Sequence, residues 1–278
     1  MRSVTNAVVI SSKKRKRATG LRELWVYREL FYFFAWRDIK VRYKQTVLGV
    51  GWAVLQPMIT AAIFTVFFNR VAKIDTGSVN VPYPVFAYLG LTYWGAFSNA
   101  TSNVSNSILN NSGVINKVYF PRLIPALASI VLSIVDFAFA IAVFFILIIL
   151  FGVSISAVGF LWIIPTLGLA MFAALGIGLL FAALNVKYRD MRSALPFIIQ
   201  ATFFMTPVIY PISMIPERFQ IYAYLNPAAG SISTIKAAFF GQAIYWEGLL
   251  VSIISSIVIF IIGFWAFKKA ERHFTDYL

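Results

Sequence analysis

The chain has no cysteine and a single histidine, His273, which excludes disulfides, thiolate metal sites, cysteine nucleophiles and a His-rich zinc centre. Acidic residues are sparse, with ten Asp and Glu against 24 Lys and Arg, and charged residues make up only 12% of the sequence. No G-x-x-x-x-G-K-[ST] stretch occurs, so there is no P-loop to cradle a nucleotide. A membrane transferase acting on lipid-linked sugars would need clustered carboxylates for a metal or a base. Here Asp38 and Asp190 stand alone among basic residues, where a salt bridge is the ordinary reading.

What fills the sequence is apolar: 60% hydrophobic and 17% aromatic, with a mean hydropathy of +0.80. A soluble domain of 278 residues would leave too much of that surface outside. A helical crossing needs about 20 mostly apolar residues. Six stretches qualify: Leu48–Phe68, Pro84–Thr101, Leu123–Phe151, Ala157–Asn185, Ala194–Met214 and Leu249–Phe267. The expected fold is an all-α membrane protein of six transmembrane helices, with residues 21–278 forming one permease domain. Gln56-Pro57 should bend the first span, because proline removes a backbone donor.

On that reading every Lys and Arg except Arg70, Lys73, Arg218 and Lys236 falls on one side, together with both termini. Positive charge stays inside, so the termini are expected in the cytoplasm. The net charge of +14 and pI near 10.1 then belong to juxtamembrane residues facing anionic headgroups, and no nucleic-acid partner is expected. Residues 1–20 carry the run Lys13-Lys14-Arg15-Lys16-Arg17 but no apolar core of signal-peptide length; a disordered basic cytoplasmic arm is expected there. Asp136 is the one ionisable residue deep inside a span. Alone it argues weakly for ion coupling, and its expected role is a hydrogen bond to a Ser, Thr or Asn of another span. Uphill movement would then draw its energy from a partner.

Several segments are neither span nor simple loop. Between Leu21 and Lys44, the residues Leu24, Tyr27, Phe31 and Phe34 recur at helical spacing, and Trp25 and Trp36 suit the headgroup zone. An amphipathic interfacial helix is expected. It ends in a cationic cluster, and two readings stay open for Arg37, Lys40, Arg42 and Lys44: ordinary positive-inside anchoring, or a dock for an anionic lipid headgroup such as a diphosphate. Asn99, Asn103, Asn106 and Asn110 share one helical face, which predicts that the second span extends into the cytoplasm toward a soluble partner. Residues 111–122 combine turn chemistry with a short amphipathic piece, and by spacing alone they read as a connecting loop. Ala170, Ala174, Gly178 and Ala182 form a small-residue ridge read as intramolecular packing. From Ile215 to Glu247, Pro216 starts one helix, Asn226-Pro227 breaks it, and a second covers about Ala228–Phe240. Both are too short to span and read as external re-entrant or interfacial helices, a gate or cap. The dense aromatics are girdle residues or, in part, the lining of a conduit, since their faces stack on sugar rings.

Four ordered motifs carry a resemblance. Arg37-Asp38-Ile39-Lys40-Val41-Arg42-Tyr43-Lys44-Gln45-Thr46-Val47-Leu48-Gly49 with Trp52 and Gln56-Pro57 is the first, and Asn116-Lys117-Val118-Tyr119-Phe120-Pro121-Arg122 the second. Leu184-Asn185-Val186-Lys187-Tyr188-Arg189-Asp190 leading to Thr206-Pro207-Val208-Ile209-Tyr210-Pro211 is the third, and Leu225-Asn226-Pro227 the fourth. Over roughly Leu21 to Arg272 the chain resembles the ABC-2-type polysaccharide export permeases, the membrane subunits of O-antigen, capsular polysaccharide and teichoic acid exporters. The resemblance implies a non-enzymatic, multi-pass subunit of the bacterial inner membrane that forms a homodimer. It implies two copies of a separate ABC ATPase, with ATP and Mg in that partner and no cofactor or metal in this chain. The implied substrate is a lipid-linked polysaccharide, most simply O-antigen for lipopolysaccharide biosynthesis.

It also implies roles. Val114, Ile115, Asn116, Lys117, Val118, Tyr119, Phe120 and Arg122 become a cytoplasmic coupling helix against the ATPase. Trp52, Phe64, Phe67, Tyr93, Trp94, Phe203, Phe204 and Tyr210 become the polymer path, and Pro216, Asn226 and Pro227 the external gate. Arg37, Lys40, Arg42 and Lys44 become the headgroup entrance. The alternatives are an ABC-2 exporter of a drug or simple lipid and, in another class, a membrane glycosyl- or phospho-transferase. A structural scaffold would leave the motifs without a role.

Overall fold

A computed structural model describes residues 21–44, 51–67, 81–188 and 190–274, and among them all regular structure is helical. The expected arm, the start of the first span at residues 48–50, its end at Phe68, and Arg70, Lys73 and Arg189 lie outside the described residues. The described residues form eleven α-helices in order. They are α1 (Leu21–Val26), α2 (Arg28–Lys44), α3 (Gly51–Phe64), α4 (Tyr83–Asn110), α5 (Ser112–Ile115), α6 (Leu123–Phe151), α7 (Val158–Lys187), α8 (Met191–Met205), α9 (Glu217–Ala223), α10 (Pro227–Phe239) and α11 (Trp246–Ala270).

Local chemistry sets these ends. Pro82 precedes α4 and Pro84 occupies its first turn, where a missing N–H costs nothing. Gly152 closes α6 in the left-handed conformation, φ 62°, with its N–H returned to Ile148 and Ile149 carbonyls. Asn226 caps α10 by accepting from the Ala228 N–H, with Pro227 at the first helical position.

Among the described residues three helices are long and apolar enough to cross a membrane: α6, α7 and α11. The fourth long helix, α4, has 28 residues but is diluted by the Asn and Ser face of its second half. It runs to Asn110, well past Thr101, as its asparagine spacing predicts. The fifth stretch departs from expectation. Its helix stops at Met205 instead of continuing to Met214, because Thr206 precedes Pro207 and takes the extended backbone that proline imposes on its neighbour. At 15 residues α8 rises only about 22 Å.

α4 lies at the centre, packed on α6 and α7, while α11 and α10 pack on α7. The small-residue ridge explains this closeness. Ala170, Ala174 and Ala182 are buried, and a Cβ on Gly178 would stand 2.5 Å from Val104 of α4. On the other side of α7, a Cβ on Gly263 of α11 would come within 2.0 Å of the Gly176 carbonyl. Two backbones in near contact are what association by van der Waals packing in lipid requires. Although it is too short to cross, α10 is buried along nearly its whole length among these helices. By contrast α3 and α8 pack lightly and expose Trp52, Ile59, Ile63, Phe197 and Phe204.

Candidate functional site

The light packing of α3 and α8 leaves a cavity of about 330 Å³ between them, α4 and α6. Aromatic side chains come from Trp52, Phe64, Trp94, Phe137 and Phe203 and amides from Gln56, Asn99 and Gln200; among the described residues Arg42 and Asp136 are the charged ones lining it. Phe203 sits 5.9 Å from Phe64 and 5.5 Å from Trp94, ring centre to ring centre. Gln56 and Gln200 are exposed on otherwise apolar helix faces. An amide facing hydrocarbon without a partner is costly, so this face suits a wet lumen or a protein neighbour better than lipid.

Of the expected polymer path, Trp52, Phe64, Trp94 and Phe203 line the cavity. Tyr93 does not: it is fully buried toward α7, its hydroxyl 3.0 Å from Thr166 and its ring edge-on to Phe137. Phe67 and Phe204 are exposed outside the lining, and the Tyr210 hydroxyl donates to the Phe204 carbonyl. A period-3.6 pattern places a residue on a face without saying which neighbour that face meets.

Arg42 and Asp136 connect the cavity to α2. The Asp136 carboxylate accepts from the Tyr43 hydroxyl and stands 3.0 Å from the Arg42 guanidinium, so its partners are on α2 and not a Ser, Thr or Asn of another span. Arg42 Nη2 faces Asp136 Oδ2 without hydrogen-bond alignment, which makes the contact ionic. Burial and the adjacent carboxylate push the Tyr43 phenol well above its ordinary pKa, keeping it a neutral donor. The predicted stripe of α1 and α2 packs inward, with Phe34 5.6 Å from Phe120 near the foot of α6. Asp136 lies 13 residues up α6, a rise of about 20 Å above its start. So α2 climbs along α6 and does not lie free on a surface. The outer face of α1 and α2 is also aromatic, with Trp25, Tyr32, Phe33 and Trp36 exposed, which suits the boundary between bundle and headgroups. Of the other cations expected at the entrance, Arg37 pairs with Asp38 at 2.6 Å, Lys40 lies over Trp36, and Lys44 is exposed.

The segment after α4 forms one short helix, α5, and then turns. It divides into two faces. Val114, Asn116, Lys117, Val118 and Tyr119 point outward, whereas Ile115, Phe120 and Arg122 are buried. Arg122 braces the turn: its guanidinium donates to the Ile115 carbonyl at 3.0 Å and lies over Phe120, and its backbone N–H reaches Glu271 at 3.3 Å. Glu271 also accepts from Lys268, and Phe274 packs edge-on against Phe267, so the end of α11 underpins this turn.

At the opposite end, Pro216 caps α9, whose Phe219 and Tyr222 are exposed. Asn226 donates to Thr206 at 2.6 Å while capping α10, joining the start of α10 to the end of α8. Lys236 is only 4% exposed, donates to the Pro207 and Val208 carbonyls at 3.1 and 2.6 Å, and lies 3.8 Å over the Phe86 ring. It thus satisfies carbonyls that the break after α8 leaves free. Sequence reading passed over Lys236 as one more external cation.

The sequence model of the ABC-2 type transporter family matches residues 29–240, from α2 through α10. The chain belongs to the ABC-2 type transporter family. An O-antigen export system permease protein RfbA of Klebsiella pneumoniae is 28% identical over 243 residues, covering 87% of this chain and 92% of the relative. One of Myxococcus xanthus with the same description is 26% identical over 232 residues, covering 79% and 84%. The polysialic acid transport protein KpsM of Escherichia coli is 25% identical over 209 residues, covering 73% and 78%. With its apolar helices, this family member is a membrane protein.

Proposed function

We propose that this chain is the permease subunit of an ATP-driven exporter that carries a lipid-linked polysaccharide, with O-antigen the leading case, from the cytoplasm across the inner membrane. The observation that carries the reading is the cavity. Five aromatic side chains and three amides beside one arginine are the groups a sugar chain needs: stacking surfaces, hydrogen-bonding partners and a grip on a charged linkage. The relatives named for polysaccharide export cover most of both chains, which agrees with it.

In this proposal α3, α4, α6, α7, α8 and α11 are the six crossings, with both termini in the cytoplasm. The exposed faces of α3 and α8, with Gln56 and Gln200, meet a second copy across a shared conduit. Val114, Lys117, Val118 and Tyr119 contact the separate ATPase, and Ile115, Phe120 and Arg122 hold them in place. The α9–α10 segment covers the external end.

The test is deletion and complementation with the partner ATPase co-expressed. Lipid-linked glycan should accumulate inside cells lacking the permease and be exported when the wild-type chain returns. If no ATPase co-purifies and no glycan accumulates on deletion, the exporter reading fails.

A further inference from the structure

The break after α8 is shaped around a nitrogen. The Val208 N–H returns to the Thr206 carbonyl at 2.7 Å, a three-residue turn centred on Pro207. That turn brings two consecutive carbonyls, those of Pro207 and Val208, to one point, where the Lys236 ammonium meets them at 3.1 and 2.6 Å. The Phe86 ring closes a third side, its centre 3.8 Å from the nitrogen. The three donors of an ammonium are thus matched by two carbonyl oxygens and a π face. α4 is notched to admit them. A Cβ on Gly90 would stand 2.2 Å from the Val208 oxygen and 2.9 Å from the Lys236 nitrogen.

Carbonyl oxygens and an aromatic face are ligands for a cation. An apolar side chain of the same length would fill the space without the cost of burying a charge, but it would leave both carbonyls without their donor. Lys236 lies in the last turn of α10 and reaches residues just past the end of α8, so the negative ends of two helix dipoles favour a positive group there. The rest of the turn is held too. Asn226 donates to Thr206 at 2.6 Å, and the buried Tyr83 hydroxyl donates to the Ile209 carbonyl at 2.8 Å. Gln200 and Phe203, which line the cavity, belong to the same α8 that ends at this turn. The ammonium therefore ties the α8 wall of the cavity to α4 and α10.

We propose that the Pro207–Val208 turn and the Phe86 face form a cation site for a primary ammonium, which the chain fills with its own Lys236, and that this tethered cation is a positioning residue for the α8 wall. Its part in transport rests on the export reading; the site itself does not.

The experiment uses the full-length chain in nanodiscs and reads hydrogen–deuterium exchange in the peptide covering residues 206–212, with glycan export measured separately in deletion cells that hold the partner ATPase. Lys236→Met should raise exchange there about tenfold, the scale of one lost charge-assisted hydrogen bond, and leave α7 and α11 unchanged. Export should fall while membrane insertion is unchanged. Lys236→Ala removes the side chain beyond Cβ, which n-propylammonium replaces atom for atom, so adding that ion should slow the exchange again. n-Butanol, similar in size but uncharged, and propyltrimethylammonium, charged but without N–H groups, should not. Where the Lys236 variants do not fold, Phe86 replaced by mono-, di- and trifluorophenylalanine keeps the ring's shape while weakening its hold on a cation, and exchange should rise stepwise with fluorine content. Unchanged exchange in folded Lys236→Met, or no slowing of folded Lys236→Ala by n-propylammonium, overturns the site. Equal rescue by n-butanol, or a flat fluorine series, overturns the cation. Raised exchange with undiminished export overturns the positioning role. If no glycan accumulates on deletion, the export reading alone fails, because exchange and rescue on the purified chain still decide the site.

Discussion

Lys117 and Arg122 are adjacent cations of one motif, yet their surroundings predict opposite defects. Lys117 is exposed, whereas Arg122 is 8% exposed and donates to the buried Ile115 carbonyl. Arg122→Gln removes a charge-assisted hydrogen bond worth about 1.5–3 kcal/mol. It also removes the contact over Phe120, worth about 0.5–1 kcal/mol. Together these predict destabilisation on the order of 2–4 kcal/mol, undiminished by solvent because the group is buried. Lys117→Glu should leave stability within about 0.5 kcal/mol, as surface changes do. The assay pairs an SDS-titration unfolding midpoint on the purified permease with capture of the partner ATPase. Arg122→Gln should lower the midpoint and weaken capture in proportion. Lys117→Glu should weaken capture at an unchanged midpoint. If Arg122→Gln abolishes capture without moving the midpoint, Arg122 is itself a contact and the bracing argument is wrong.

Other changes probe the rest of the structure. Gly263→Ala places a methyl 2.0 Å from the Gly176 carbonyl and should destabilise by about 1–3 kcal/mol, whereas Gly168→Ala, with no atom near its Cβ, should stabilise by up to about 1 kcal/mol; equal SDS midpoints would refute the α7–α11 contact. Because the chain has no cysteine, Lys117→Cys and Tyr222→Cys can be labelled without background, and an impermeant maleimide should reach Tyr222→Cys in intact spheroplasts and Lys117→Cys only in inverted vesicles. Reversed accessibility would overturn the proposed topology. Gln56→Leu with Gln200→Leu should reduce export while membrane insertion is unchanged or improved; undiminished export would mean that this face meets lipid.

Much of this arrangement is legible in the sequence because helix chemistry is local. The α10 boundaries, Pro227–Phe239, lie one residue from the range expected from Asn226-Pro227, and the ridge through Gly178 packs as its spacing implies. The asparagine face of α4 correctly announces an extended helix, and part of it turns inward, with Asn103 donating to Ser133 of α6. What escapes is long-range pairing. Nothing near Asp136 points to Tyr43, 93 residues away, and nothing in Asn116–Arg122 separates buried Phe120 and Arg122 from outward Val118 and Tyr119. Tyr93 and Trp94 are neighbours of similar chemistry, but one packs on α7 and the other faces the cavity. The signal available for the fifth helix, Thr206-Pro207, was present and outweighed by the apolar run around it.

Packing is unevenly distributed over the helices. α4, α7, α10 and α11 meet through close glycine contacts and buried hydroxyl bonds such as Tyr93 to Thr166. Such contacts have little room to slide without losing both packing and hydrogen bonds. Among the described residues α3 and α8 show no such contact, and α2 is held at its cavity end by an ion pair and a phenol. Polar contacts hold the ends of these helices: Asn226, Lys236 and Tyr83 meet the end of α8 and the segment after it, and Arg42 with Tyr43 meets Asp136 at the end of α2, whose first half packs through Phe34 on Phe120. Polar anchors break and re-form over short distances, whereas interdigitated apolar seams separate only at full cost. In the proposed export cycle, α2, α3 and α8 are therefore the helices expected to move around the cavity, against an α4–α7–α11 frame expected to stay fixed.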